Sequence, residues 1–317
     1  MKGGQKRIAF VVASALLLTL AFKTWAVPAS GAAHSYVGGT AGAQSLPFAA
    51  RFRVAEGRGL MVNVWINDRG PFTLAIDTGA GATILSERVA QSANIRTLSG
   101  RRTPIGGISG VGAGTGLEAK VNSLAIGDRN NYLPARSGVI VTSSLPVGVD
   151  GVLDPTESYW PLGYTIDFPQ GTISAFDPRA TPLRAGDATA GGTVVPWIFQ
   201  GATRRPFVSL DSGRKALIDT GSGFGLAMSE TEAQSLGIIP RTRRAMSEVR
   251  DLGGGRVSAH RISPLTIRVG SMSLRNVPTD LLYGAEAGAP ILLGRDALRP
   301  FRLSFDPLNR LISISPR

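Results

Sequence analysis

Two stretches of the chain carry the same alternation of apolar and polar positions. The first runs Val62-Asn63-Val64-Trp65-Ile66-Asn67, breaks at Asp68-Arg69-Gly70-Pro71, and returns as Phe72-Thr73-Leu74-Ala75-Ile76 into Asp77-Thr78-Gly79. The second runs Val208-Ser209-Leu210, breaks at Asp211-Ser212-Gly213-Arg214, and returns as Lys215-Ala216-Leu217-Ile218 into Asp219-Thr220-Gly221. Alternation on both sides of a polar turn predicts a β-hairpin in each case. Each is followed by a short helical stretch opening on serine, Ser86 to Ala93 and Ser229 to Leu236. Glycine-rich turns come next, at Gly106-Gly107 and Gly253-Gly254-Gly255. Strand-like runs follow at Leu124 to Gly127 and Leu265 to Gly270, then apolar segments at Gly151-Val152-Leu153-Asp154 and Ile291-Leu292-Leu293-Gly294. Each half closes on a hairpin around Asp167 or Asp306, which are read as turn residues beside their prolines.

The spacing between matching landmarks barely changes. Asp219 lies 142 residues after Asp77, Gly294 lies 140 after Asp154, and Asp306 lies 139 after Asp167. A near-constant offset argues duplication, and therefore a mostly β protein of two pseudo-symmetric, β-barrel-like lobes with short helices. The expected division is 46–180 for the first lobe and 181–317 for the second, joined by the Pro- and Gly-containing run Asp177 to Gly192.

The start of the chain follows different rules. Lys2, Lys6 and Arg7 precede an uncharged apolar run, Ile8 to Phe22, and small residues follow at Ala26, Ala29 and Ala33. Residues 1–29 are expected to be an export signal; an uncleaved anchor, with Lys23 and Trp25 at the membrane surface, is the alternative. The expected destination is a bacterial periplasm. Residues 30–45, rich in Gly, Ala and Ser, read as a flexible linker.

Composition then narrows the chemistry. The chain has no cysteine, which removes disulfides, thiolate metal sites and cysteine nucleophiles. Its two histidines, His34 and His260, leave little material for a Ser-His-Asp triad or a multi-histidine zinc site, and His260 is read as a surface or satisfied residue. The net charge of +12 includes four cations in the leader, so the remainder is nearer +8. Arg204-Arg205 and the Arg241 to Arg244 run are read as solvated surface, and nothing interleaves basic and aromatic residues as a nucleic-acid site would. Trp65, Trp160 and Trp197 are read as core or pocket walls. The run Gly110 to Gly116 fits neither the dinucleotide fingerprint nor a phosphate loop.

A lone Asp-Thr-Gly is a common turn. Here each aspartate leaves an apolar strand, where a carboxylate is costly to bury, and pseudo-symmetry supplies a partner in its counterpart. Two adjoining carboxyls share a proton, one acting as acid and the other as base, and can activate a water between them. Gly79 and Gly221 allow a sharp turn, and Thr78 and Thr220 can hydrogen-bond across the axis.

Ile76-Asp77-Thr78-Gly79-Ala80 and Ile218-Asp219-Thr220-Gly221-Ser222 resemble the active-site turns of the aspartic peptidase superfamily, in a form closer to retropepsins than to pepsin. The resemblance extends from about Leu46 to the C-terminus and implies the acid-protease fold. It implies that Asp77 and Asp219 form the catalytic dyad, supported by Thr78, Gly79, Thr220 and Gly221. It also implies two flaps, Arg102 to Gly116 and Val249 to Ser258, whose Gly106, Gly107, Ile108, Gly253, Gly254 and Gly255 bind an extended peptide. No metal or organic cofactor is implied, the expected partner is a polypeptide substrate, and the expected state is a monomer. Asp154 departs from the pattern, standing where Gly294 stands in the second half; either the first loop packs differently or Gly151 is the supporting glycine in a shifted register. A peptide- or envelope-binding protein that keeps the lobes without catalysis is the alternative function.

Overall fold

The computed structural model describes residues 45–109, 114–134, 138–145, 148–200, 203–238, 246–250, 255–286 and 288–316. The leader at 1–29, the linker up to residue 44, Gly110 to Ala113, Arg241 to Arg244, and Gly253-Gly254 lie outside the described residues.

The two predicted hairpins form and seed two sheets built in the same order. In the first, Gly59–Ile66, Arg69–Ile76, Gly151–Leu153, Thr83–Ser86, Gly138–Thr142, Gly114–Lys120 and Thr97–Ile105 lie side by side. In the second, Thr203–Ser209, Lys215–Asp219, Ile291–Gly294, Leu226–Ser229, Met272–Tyr283, Arg256–Val269 and Met246–Arg250 repeat that order. The alternation in the sequence matches the burial it predicts: Leu60, Val62, Val64 and Ile66 are buried, while Asn63 between them is exposed. Burying such side chains contributes roughly 1.5–3 kcal/mol each.

The first hairpin turns sooner than predicted. Asn67 and Asp68 occupy its two central positions at φ 50 and 61, and Arg69, Gly70 and Pro71 already belong to the returning strand. A two-residue turn of this hand needs positive φ at both positions, which Asn and Asp tolerate better than most residues. The second turn lies where predicted, with Gly213 at φ 75 and its amide donating to Leu210 O at 3.0 Å.

A third, six-stranded sheet joins the halves. Its order is Ala50–Arg51, Thr172–Phe176, Gly163–Asp167, Phe301–Asp306, Leu311–Pro316, Thr193–Pro196, so equivalent strands flank a central antiparallel pair. Tyr164 stacks on Phe305 across that junction at 4.6 Å between ring centres, and Trp197, 3% exposed, packs edge-on against Phe305. Trp65 and Trp160 are only half-buried. Asp167 and Asp306 cap the closing turns, accepting from Gln170 N and from Leu308 N and Asn309 N.

Helices are short. Ser86 and Ser229 cap Glu87–Ser92 and Glu230–Ser235 by accepting from Val89 N and Glu232 N, and a glutamate opens each first turn. Among the described residues no helix is long and apolar enough to cross a membrane.

Candidate active site

The two Asp-Thr-Gly turns, one from each of the first two sheets, meet directly. Asp77 directly follows strand Arg69–Ile76 and Asp219 ends strand Lys215–Asp219, and both are without solvent exposure. The turns are locked reciprocally. Thr78 N donates to Thr220 Oγ1 at 3.2 Å and Thr220 N donates to Thr78 Oγ1 at 3.1 Å. Each hydroxyl then donates beneath the opposite turn, Thr78 Oγ1 to Ile218 O at 2.6 Å and Thr220 Oγ1 to Ile76 O at 3.1 Å. Four buried bonds thus fix one loop against the other.

Within each turn the carboxylate is held by backbone. Gly79 N donates to Asp77 Oδ1 at 2.8 Å, and Ser222 N donates to Asp219 Oδ1 at 3.0 Å. Gly221 is required by close approach, because a methyl there would overlap the Asp77 carboxylate. The carboxyls interact directly: burial, the Asp77 charge and a hydrogen bond with Asp77 push Asp219 well above the usual carboxylate range, against the pull of Ser222 N and Arg295. A pair in that state holds one proton between two sites.

Asp154 occupies the place equivalent to Gly294, with no register shift. Gly151, Val152 and Leu153 pair with Leu74, Ala75 and Ile76, just as Ile291, Leu292 and Leu293 pair with Ala216, Leu217 and Ile218. The reading of Gly151 as the supporting glycine is therefore wrong. Gly294 is needed because the Ser222 and Phe224 backbone presses against it. The first loop is one residue shorter, six from Asp77 to Thr83 against seven from Asp219 to Leu226. There Asp154 N donates to Thr83 Oγ1, and the Asp154 carboxylate caps helix Pro155–Tyr159 by accepting from Thr156 N at 2.8 Å. Burial, followed by the Glu157 charge, holds this carboxyl well above its ordinary range, with Asp77 adding a smaller push.

Two buried guanidiniums flank the turns, and neither was found by reading the sequence. Arg295 Nη1 donates to Thr220 O at 2.8 Å and Gly221 O at 2.7 Å, tying the second turn from below. Arg205 is 7% exposed, so its reading as solvated surface is overturned; its stem lies against Gly81, and its backbone carbonyl accepts from Trp197 Nε1. Arg204 is half-buried rather than solvated, paired with Glu157 at 3.0 Å and lying 4.0 Å over the Trp160 ring. His260, read as a surface or satisfied residue, is half-buried: it packs on Tyr283, and its Nδ1 has no hydrogen-bond partner among the described residues.

The stretch expected to form the first flap lies on the paired strands Thr97–Ile105 and Gly114–Lys120. Gly106, Gly107 and Ile108 continue the first of these strands, and Ile108 is fully buried in one apolar cluster with Phe207, Leu217, Phe224 and Leu292 of the second lobe. Glu286 N donates to Ile108 O at 2.8 Å, so Ile108 is held by backbone as well. The stretch expected to form the second flap lies on the paired strands Met246–Arg250 and Arg256–Val269; Gly255, buried, immediately precedes the second of them. Among the described residues no group of three His, Asp or Glu is arranged to hold a metal ion.

Paired all-β lobes with two interlocked Asp-Thr-Gly turns define the two-lobed acid-protease fold. A scan of protein families matches residues 62–140 and again 212–300 to the family described as "gag-polyprotein putative aspartyl protease". Those matches cover more than half of the chain, and the chain belongs to that family. A search of curated proteins found no match.

Proposed function

We propose that this chain is an aspartic endopeptidase in which Asp77 and Asp219 hydrolyse peptide bonds of a polypeptide held beneath the flaps. The observation that carries this reading is the buried carboxyl pair, with Asp219 raised by burial and by Asp77. In the singly protonated pair, the carboxylate takes a proton from a water while that oxygen attacks the scissile carbonyl carbon. The protonated carboxyl gives its proton to the carbonyl oxygen. Collapse of the resulting diol breaks the C–N bond, and a proton passes to the leaving amine. The four threonine bonds keep the carboxyls in register, so little reorganisation accompanies the step. Extended peptide would add to the flap edges by main-chain hydrogen bonds.

Asp154 does not weaken this reading, since Asp77 N keeps its bond to Leu153 O at 2.9 Å. We further propose that residues 1–29 direct export to a periplasm and that one chain suffices, because both aspartates come from it. The test is digestion of an unfolded protein by the purified full chain across a pH series. Activity is expected to rise and fall with two ionisations, the upper one shifted towards neutrality by the raised carboxyl. Absence of cleavage at every pH, with peptide still bound, would replace the peptidase with a binding protein.

A further inference from the structure

The two lobes fill the space beyond their Asp-Thr-Gly turns differently. The offset of 142 residues that carries Asp77 to Asp219 carries Ala82 to Phe224. Phe224 is 4% exposed and shares one apolar cluster with Val249 and Val257, from the paired strands Met246–Arg250 and Arg256–Val269, and with Ile108 of the first lobe. The second lobe thus packs its own side chains between its turn and those strands. In the first lobe the corresponding residues are Gly81 and Ala82, and both are only half-buried. They line a cavity of about 320 Å³, shared with Leu98, Thr103 and Glu118 of the paired strands Thr97–Ile105 and Gly114–Lys120, and with Ile140.

This cavity adjoins the candidate active site. Gly81 and Ala82 belong to the loop that leads from Asp77 to Thr83. Ala82 packs against the cluster of Ala80, Ile84, Ile105, Ile140 and Val152, and Ala80 N donates to Asp77 O at 3.5 Å. An apolar wall therefore runs from the Asp77 turn to the cavity, along the strands expected to cover a bound polypeptide. Thr203 of the second lobe also borders the cavity, so it lies where the lobes meet. Exposed Arg101 and Lys120 at its edge open it to solvent. Its two acids are engaged: Glu118 by Thr103 Oγ1 at 3.1 Å and Arg101 at 3.4 Å, and Glu157 by Arg204 at 3.0 Å. What the cavity then offers is apolar surface to be removed from water, in a volume near the lower end of the range for ligand pockets, about 300–1,000 Å³. We propose that it is a subsite for one bulky apolar side chain of the bound polypeptide, without an equivalent in the second lobe, so that such a residue is selected on one side of the scissile bond only. The proposal rests on the peptidase reading for the presence of a polypeptide and goes beyond it in assigning a one-sided specificity.

The test compares the full chain with its A82F and L98A variants on peptides that carry Phe, Leu or Ala at one position at a time on either side of the cut. Cleavage products are sequenced by mass spectrometry, and folding is checked by circular dichroism. The wild type should prefer Phe or Leu over Ala by at least tenfold in kcat/KM at one position, with no such preference at its mirror position across the cut. A82F places in the first lobe the residue that fills the second, and should lower that ratio at least tenfold. L98A removes one apolar wall and should lower it at least threefold, which keeps a variant in hand if A82F does not fold. A wild type without apolar preference, or with equal preference at mirror positions, overturns the proposal whatever the variants do. So does a preference that survives in folded A82F, or in L98A where A82F does not fold. If the wild type cleaves nothing, the peptidase reading falls separately. The same peptides are then bound to the immobilised full chain, where equal retention of Phe and Ala twins overturns the subsite and selective retention of the Phe twin, lost in the variants, upholds it.

Discussion

Replacing Thr78 by valine keeps the shape of the side chain and removes one hydroxyl from the interlock. That hydroxyl donates to Ile218 O at 2.6 Å and accepts from Thr220 N at 3.1 Å, and Thr78 and Thr220 are both fully buried. Valine therefore leaves one carbonyl and one amide in the other lobe without a partner and without access to water. Each such group costs about 1–3 kcal/mol, so T78V should lose about 2–6 kcal/mol, less whatever the loops recover by relaxing. Thr78→Ser retains both bonds and loses one methyl, about 0.8 kcal/mol. The comparison separates hydrogen bonding from packing. Urea unfolding of the full chain, followed by tryptophan fluorescence, reads the difference as a shift in midpoint at constant slope. If T78V unfolds at the same midpoint as T78S, the interlock does not hold the turns together and the reasoning fails.

Other consequences are as direct. Because Asp154 is raised in the folded state, its contribution to stability is fully present below the ordinary carboxylate value near about 3.9 and is lost as pH rises through the raised value. Asp154→Asn keeps the capping oxygen without the charge, so thermal melts should show it gaining on the wild type as pH rises from 4 to 8; D154A should lose the cap, about 1 kcal/mol, throughout. Gly221→Ala places a methyl against the Asp77 carboxylate and should lower kcat/KM by at least about 100-fold with secondary structure intact, measured on one peptide and by circular dichroism. Arg204→Ala removes the half-buried pair with Glu157 and the stacking on Trp160; a midpoint loss of about 0.5–1.5 kcal/mol is expected, smaller in high salt.

What could be read in the sequence was whatever local pattern dictates. An apolar strand ending in Asp-Thr-Gly located both turns, and a serine before each short helix located both caps. The repeated offset gave the pairing of the turns, because two copies of one unit bury their shared face by symmetry. What escaped depended on departures from that symmetry. Arg205 looks like any surface arginine, and only the approach of Gly81 from the other lobe shows that it is buried. Asp154 broke the apolar-apolar-Gly pattern, but its tolerance comes from a loop one residue shorter and from a cap that needs the folded helix beside it. The tight turn at Asn67-Asp68 was overlooked because Gly70-Pro71 is the stronger local turn signal.

The central claim is that Asp77 and Asp219 act as one unit, and the most direct measurement is kcat/KM on a single peptide for D77N, D219N and the double variant. Each single substitution should lower the rate by at least about 1,000-fold, with the double variant no worse than the singles, because removing either carboxyl disables the shared-proton pair. A single variant retaining a tenth of the activity, or losses that multiply in the double variant, would contradict it.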